Sequence, residues 1–463
     1  MATTEELLTV PTHPDYDDTL PDWVQMRDTV RGERAVKAKT TLYLPMTSGQ
    51  LIDGVNGTAR YTAYLTRASY LNFPKGTISD ALGMMFSRKP DIEVPGGLDY
   101  LREGATLERE SLESLLENIN REQLRLGRIG ILTDMREDTG EIYFASYKAP
   151  SILNWHTMAE QGSPDFDFVL LDESGYYFES STMSYGYEQK FRVLVLIKEV
   201  YYTFTTTAEG LLKVDFSDVT TLPGDIVAPS YKGKTLNRIP FNIANVSHVG
   251  AAIEEPPLLD QSNISLTYYR GDADYRHSLY KQGQGTFYAT GLTDDEMKAE
   301  KRLGADGAIY STNDKAKIGF VELNGLGLPE MRESQQNLKM EALALGVTLF
   351  DKAGVESGKA LETRSMVKTA PIRTIARTGA EALKLSVESA ANWVGASGET
   401  KINPNTDFLD IGATPQDALI LHSLMREGGM TLEDYHAYLH RNKMTDKPFE
   451  VWRSDREPRL EEI

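Results

Sequence analysis

At Gly127 the hydrophobic period of the chain changes, and this change limits the fold more than any other feature. Before it, Leu112, Leu115, Leu116 and Ile119 recur at i, i+3, i+4, i+7, which predicts a helix from about Ser111 to Leu126. After it, from Arg128 to about Val249, short β-branched and aromatic runs alternate with turn residues. The runs are Ile129–Thr133, Ile142–Tyr147, Phe166–Leu171, Phe191–Ile197, Tyr201–Thr207, Leu211–Phe216 and Ile239–Val246. Thr207-Ala208-Glu209-Gly210 reads as a hairpin connection between two of them. Helical spacing then returns, so the chain is expected to be α+β.

Five stretches follow from this reading: a helical 1–127, a β-rich 128–255, a long helix over 256–284, a mixed segment 285–328 and a helical 329–463. In the first, a helix is expected from Trp23 to Lys39, with Trp23, Met26, Val30 and Arg34 on one face. The long helix starts at Pro256-Pro257, carries Ile264, Tyr268, Tyr275 and Leu279 on one face, and stops at Gly283-Gln284-Gly285. Pro329 opens another helix with Leu338, Ala342, Leu345 and Leu349 at 4-3-4 spacing. Ala376, Ala380, Leu383, Val387, Ala390 and Val394 form a longer 4-3-4-3-4 seam. Its small residues would let a helix approach closely, within or between subunits. Thr414-Pro415-Gln416-Asp417 begins a further helix ending at Gly428-Gly429, and Thr431 caps the next.

Composition excludes several classes. The 463 residues include no cysteine, so disulfides, thiolate metal sites and a Cys nucleophile are excluded. No apolar run reaches the ~18–20 residues of a membrane span. Met1–Asp22 holds six acidic residues and no Lys or Arg, unlike a signal or transit segment. With 49 Lys+Arg against 68 Asp+Glu, the net charge of −19 argues against a protein that grips nucleic acid.

Motifs with possible chemistry are weak. Gly354-Val355-Glu356-Ser357-Gly358-Lys359-Ala360 falls one residue short of a phosphate loop, and Ala360 stands where a hydroxyl would hold magnesium. His436 and His440 lie one helical turn apart, but Ala437 occupies the place of a metalloprotease glutamate. Asp15/Asp17/Asp18, Asp272/Asp274 and Asp294/Asp295/Glu296 are carboxylate clusters of the kind that can hold magnesium. For the last, Thr293 as N-cap with acids in the first turn explains the pattern equally well. No cofactor or metal is expected. Lys298, Lys301, Arg302, Lys315 and Lys317 are interspersed with Gly304, Gly307 and Gly319, which suits a loop that touches phosphates transiently.

An ordered set of motifs resembles the tailed-bacteriophage portal (head–tail connector) proteins of the DUF4055 type. It runs from His13-Pro14-Asp15-Tyr16, Trp23, Arg27-Asp28 and Gly32 through Tyr43-Leu44-Pro45 and Tyr61–Asn72. It continues with Gly83–Pro90, Leu126–Leu132, Ala149–Trp155 and Ile239-Pro240-Phe241. It is strongest at Pro256–Asp260, Asn263, Tyr268-Tyr269 and Ala273-Asp274-Tyr275. The chain departs from the pattern at Gly283–Thr286, where a proline-containing turn is expected. The resemblance implies a portal fold with wing, stem, clip and crown regions. It implies a homo-oligomeric ring, usually of twelve, at one capsid vertex of the virion, assembled in the host cytoplasm. Double-stranded DNA would pass non-specifically through its channel during packaging and ejection. Terminase, head–tail adaptor, major capsid and scaffolding proteins would be partners, and no membrane or enzymatic activity would be involved. In those terms 256–284 is the stem helix and 285–328 the channel-loop region. The competing readings are another phage structural component, such as an adaptor or minor capsid protein, and a metal-dependent hydrolase built on Asp272 and Asp274.

Overall fold

A computed structural model describes residues 10–158, 165–216, 218–223, 226–283, 286–298, 311, 313–321, 327–347, 370–408, 415–426, 428–441, 445 and 447–454. The chain divides into two compact units. One is Met1–Lys352 with Lys368–Pro404, the other Ala353–Val367 with Asn405–Ile463.

The larger unit opens with helices α1 (Pro14–Arg31), α2 (Glu33–Ala38), α3 (Ser48–Ile52), α4 (Val55–Arg67) and α5 (Phe73–Met85). The helix expected over Trp23–Lys39 is divided, because Gly32 takes φ +98° and redirects the chain. Strand β1 (Asp91–Glu93) precedes α6 (Leu112–Leu126). Ser111 caps α6 through Ser114 N, and Gly127 ends it in the left-handed conformation.

Strands β2 (Arg128–Met135), β3 (Ile142–Lys148), β4 (Ile152–Thr157), β5 (Phe166–Asp172), β6 (Gly175–Glu179), β7 (Ser184–Glu188), β8 (Phe191–Ile197) and β9 (Val200–Thr206) follow. The hairpin expected at Thr207–Gly210 lies elsewhere. Lys198 and Glu199, both at positive φ, join β8 to β9. Thr207 instead accepts from Gly210 N and caps the short helix α7 (Ala208–Leu211), so Leu211–Phe216 is not a strand. After β10 (Ser230–Tyr231) and β11 (Lys234–Thr235), β12 (Phe241–Asn245) pairs with β2. The sheets are antiparallel, ordered β12-β2-β3 and β4-β5-β8-β9, with β6-β7 as a separate ribbon between β5 and β8.

Then come α8 (Leu259–Gln282), β13 (Thr286–Thr290), α9 (Asp294–Lys298), β14 (Lys317–Val321), α10 (Leu328–Val347), α11 (Ala370–Val394) and β15 (Lys401–Asn403), which pairs with β1. The smaller unit contributes α12 (Pro415–Arg426), α13 (Leu432–Arg441), capped by Thr431 on Asp434 N, and α14 (Phe449–Ser454).

The main core joins α6, the β2 sheet and α11. Leu115, Leu116 and Ile119 meet Ile129, Ile131 and Phe144 together with Ala380, Leu383, Val387 and Ala390. Ala376, Ala380, Leu383, Val387 and Ala390 are buried, and Val394 packs against the same core, all within one chain. A second core gathers Val36, Tyr43, Leu44, Tyr61, Tyr64 and Tyr70 around Leu266, Tyr269 and Ala273 of α8. Arg128 is fully buried, its guanidinium 4.8 Å from the centre of the Trp155 ring, whose plane also stacks on His13. Burial holds the Arg128 pKa down to about 9.

Gly379 marks the closest approach of α11 to α6. A Cβ there would lie 2.3 Å from Asn120 Nδ2 and 2.7 Å from Gln123 Oε1. Both groups are fixed by buried hydrogen bonds. Gly379→Ala is expected to cost about 1–3 kcal/mol through overpacking, read as a lower denaturant midpoint of the full chain.

Candidate functional site

The candidate site is built on the helix pair α8 and α10. Helix α8 follows Pro256-Pro257, carries Asp260 in its first turn and Lys281 in its last, and runs 24 residues, or about 36 Å. Helix α10 lies antiparallel along it. Gln261 Nε2 donates to Ala342 O at 3.0 Å, Gln335 reaches Gly271, and Tyr275 lies beside Pro329 and Arg332. Gly346 allows contact near the start of α8, where a Cβ would stand 2.8 Å from both Gln261 Nε2 and Thr77 Oγ1.

One side of α8 is fastened to the N-terminal helices. Ser262 donates to Thr29 Oγ1 at 3.0 Å, and Gln25 donates to Asn263 Oδ1 at 2.7 Å. Arg270 Nε donates to Tyr43 O, while Asp272 accepts from Ser69 N and Arg276 Nε, each at 2.7 Å. Tyr64 donates to Asp274 at 2.5 Å, and burial together with that carboxylate raises the Tyr64 pKa above its usual range. Near the end of α8, Arg67 stacks 3.5 Å over the Tyr280 ring and Tyr64 meets His277 edge-on. Burial, then the charges of Lys281 and Arg67, lower the His277 pKa, against an opposing pull from Asp274.

The helical pair ends in the antiparallel ribbon β13–β14, with register from Thr286↔Val321 to Thr290↔Lys317. Thr293 and Glu296 cap α9 reciprocally, and Ser311 also donates to Glu296. Asn313 holds Gly291 O at 2.6 Å.

These contacts place the sequence-predicted residues. Lys315 and Lys317 are exposed on the terminal ribbon, Lys298 ends α9, and Lys301 and Arg302 lie outside the described residues. Ile264, Tyr268 and Tyr275 share a half-buried side of α8 and Leu279 is exposed. The side turned into the fold is instead Ser262, Ser265, Leu266, Tyr269 and Ala273. That inward side is built largely from small and hydroxylated residues. Asp272 and Asp274 are each engaged by protein donors, as above. Among the described residues no group of three His, Cys, Asp or Glu is placed to hold a metal. His436 is buried, donates from Nε2 to Lys447 O at 2.8 Å and packs on Phe449 and Trp452. The loop at Gly354–Ala360 lies outside the described residues. Sequence reasoning missed the β6–β7 ribbon, although Gly175-Tyr176-Tyr177-Phe178-Glu179 and Tyr185-Gly186-Tyr187 carry strand-forming aromatics. No helix among the described residues is long and apolar enough to cross a membrane.

Comparison with known proteins gives two likenesses. A family model described as a domain of unknown function, DUF4055, matches residues 257–394, from the start of α8 through α11. Among solved structures, a chain from the virion of a native gene transfer agent (GTA) particle is similar at 9% identity. That match covers 78% of this chain and 86% of the other, with a TM-score of 0.38. No curated protein matches the chain.

Two outcomes test the fastening of α8. Asp272→Ala frees Ser69 N and is expected to lower stability by about 1–3 kcal/mol in denaturant titration. His277 is harder to protonate in the folded chain than in the unfolded one. Its contribution is therefore complete above the unfolded pKa, near 6.5, and is lost as the pH falls through the lower folded value. His277→Gln should flatten the loss of thermal stability between pH 7 and pH 5 relative to wild type.

Proposed function

We propose that the chain is the subunit of a phage-type portal: a ring at a capsid vertex whose channel conducts double-stranded DNA during packaging and ejection, with no catalytic role. The observation that carries this reading is the α8–α10 hairpin. It is fastened to the body along one side and leaves Leu279, Met340 and Leu343 exposed. Exposed apolar surface on a long element calls for a neighbour, and a ring of subunits supplies one to every copy through heterologous contacts. The DUF4055 match spans this hairpin, its terminal ribbon and α11, and it begins at the strongest group of sequence motifs.

The charge fits a conduit. Each phosphate neutralised by a fixed cation adds salt-dependent affinity, so a channel rich in Lys and Arg would hold its cargo. A chain of net charge −19 avoids that, and a few lysines such as Lys315 and Lys317 at the hairpin end are left for brief contact. Terminase and head–tail adaptor are the expected partners of such a ring.

Native mass and end-on particle averages of the purified chain should show closed rings. Monomers or dimers alone across salt and concentration would overturn the reading. Replacing Lys298, Lys301, Arg302, Lys315 and Lys317 with Ala should impair packaging while rings still form, and normal packaging by that variant would remove these residues from the mechanism.

A further inference from the structure

The β6–β7 ribbon has an unusual distribution of side chains. Its register pairs Tyr176 with Tyr187 and Phe178 with Tyr185. Residues opposite one another, and residues two apart on a strand, share a face. All four aromatics therefore form one continuous plate, with ring centroids 5.2 Å apart in the first pair and 5.4 Å in the second. The plate is open to solvent, with Tyr176 77% and Tyr185 71% exposed. The opposite face carries Glu179 and Glu188, with Tyr177 lying over Gly186.

A two-stranded ribbon alone is marginally stable in water, and this one carries four aromatics on a face that leaves them largely exposed among the described residues. At 150–250 Å² per aromatic residue, the exposed plate amounts to roughly 500 Å². That is more than half of the ~800 Å² one partner brings to a standard interface. The carboxylates on the opposite face, with no Lys or Arg in 175–188, disfavour nucleic acid and anionic lipid as occupants.

The same unit exposes a second, different apolar patch at the corner between α3 and α4. Leu51, Ile52 and Val55 flank the Asp53-Gly54 turn, with Ile52 84% and Val55 89% exposed. A ring needs two unlike patches per subunit, each complementary to the other on a neighbour. An aromatic plate and an aliphatic knob meet that requirement. Building on the ring proposed above, we infer that the β6–β7 plate of one copy docks on the Leu51-Ile52-Val55 corner of the next, as a contact that closes the ring.

Two full-length variants test this: Tyr176→Glu with Tyr185→Glu on the plate, and Ile52→Glu with Val55→Glu on the corner. All four sites are exposed, and unchanged thermal unfolding serves as the folding control. Each variant alone should need at least a ten-fold higher concentration than wild type to assemble. An equimolar mixture should give discrete heterodimers in native mass, because one intact plate meets one intact corner and growth stops there. Rings formed by either variant as readily as by wild type would overturn the inference and leave the ring itself standing. Homodimers of the corner variant would overturn it in favour of plate-to-plate pairing. A wild type that never assembles would overturn the ring reading and this contact with it.

Discussion

The larger unit depends on a buried polar clamp at the crossing of α6, α11 and β12. Gln123 Nε2 donates to Asn245 O at 2.6 Å and to Thr378 Oγ1 at 2.9 Å, and Asn120 Nδ2 donates to Ile375 O. Further along, Thr133 and Asn242 reach Ser386. Buried donors and acceptors are costly unless paired, so a network of this kind accepts few other arrangements of its three elements. The alanine and glycine side of α11 brings the helix close enough for these side chains to meet. Segments some 130 and 250 residues apart are thereby fixed in one register.

The α8–α10 hairpin is held differently. From its start to Asp274, α8 is fastened by short polar contacts to α1 and α4 and by an aromatic core of Tyr61, Tyr64, Tyr70 and Tyr269. Toward its C-terminal end the stabilising contacts thin to ring stacking and one charged edge. The far end is the less buried one, with Leu279 and Tyr280 exposed. The β6–β7 ribbon and the α3–α4 corner likewise leave apolar side chains exposed at other places on the unit.

Much of this was legible in the sequence. The change of period at Gly127, the α6 stripe and the Thr293 and Thr431 caps all rest on local chemistry, and each stands in the structure. Local chemistry also misled. Thr207–Gly210 has hairpin composition, yet the Thr207 hydroxyl found a backbone N–H and made a helical turn. The stripe Ile264, Tyr268, Tyr275 and Leu279 has helical spacing and lies on the half-buried to exposed side, while α8 turns Ser262, Ser265, Tyr269 and Ala273 inward. Close helix packing rewards small side chains and hydrogen-bonding hydroxyls there, and a search for apolar residues passes over both.

By itself the sequence determined the class of fold, the limits of most long helices, the absence of thiol chemistry and a charge that disfavours a tight grip on nucleic acid. Those properties follow from residue type, spacing and count. Only the tertiary structure decided that the α11 seam is spent inside its own chain, that Asp272 and Asp274 serve as anchors, and that four aromatics of the β6–β7 ribbon stand on one uncovered face. Each of these depends on which distant residues meet. Strand register and helix crossing set those meetings, and neither is written in the spacing of any one segment.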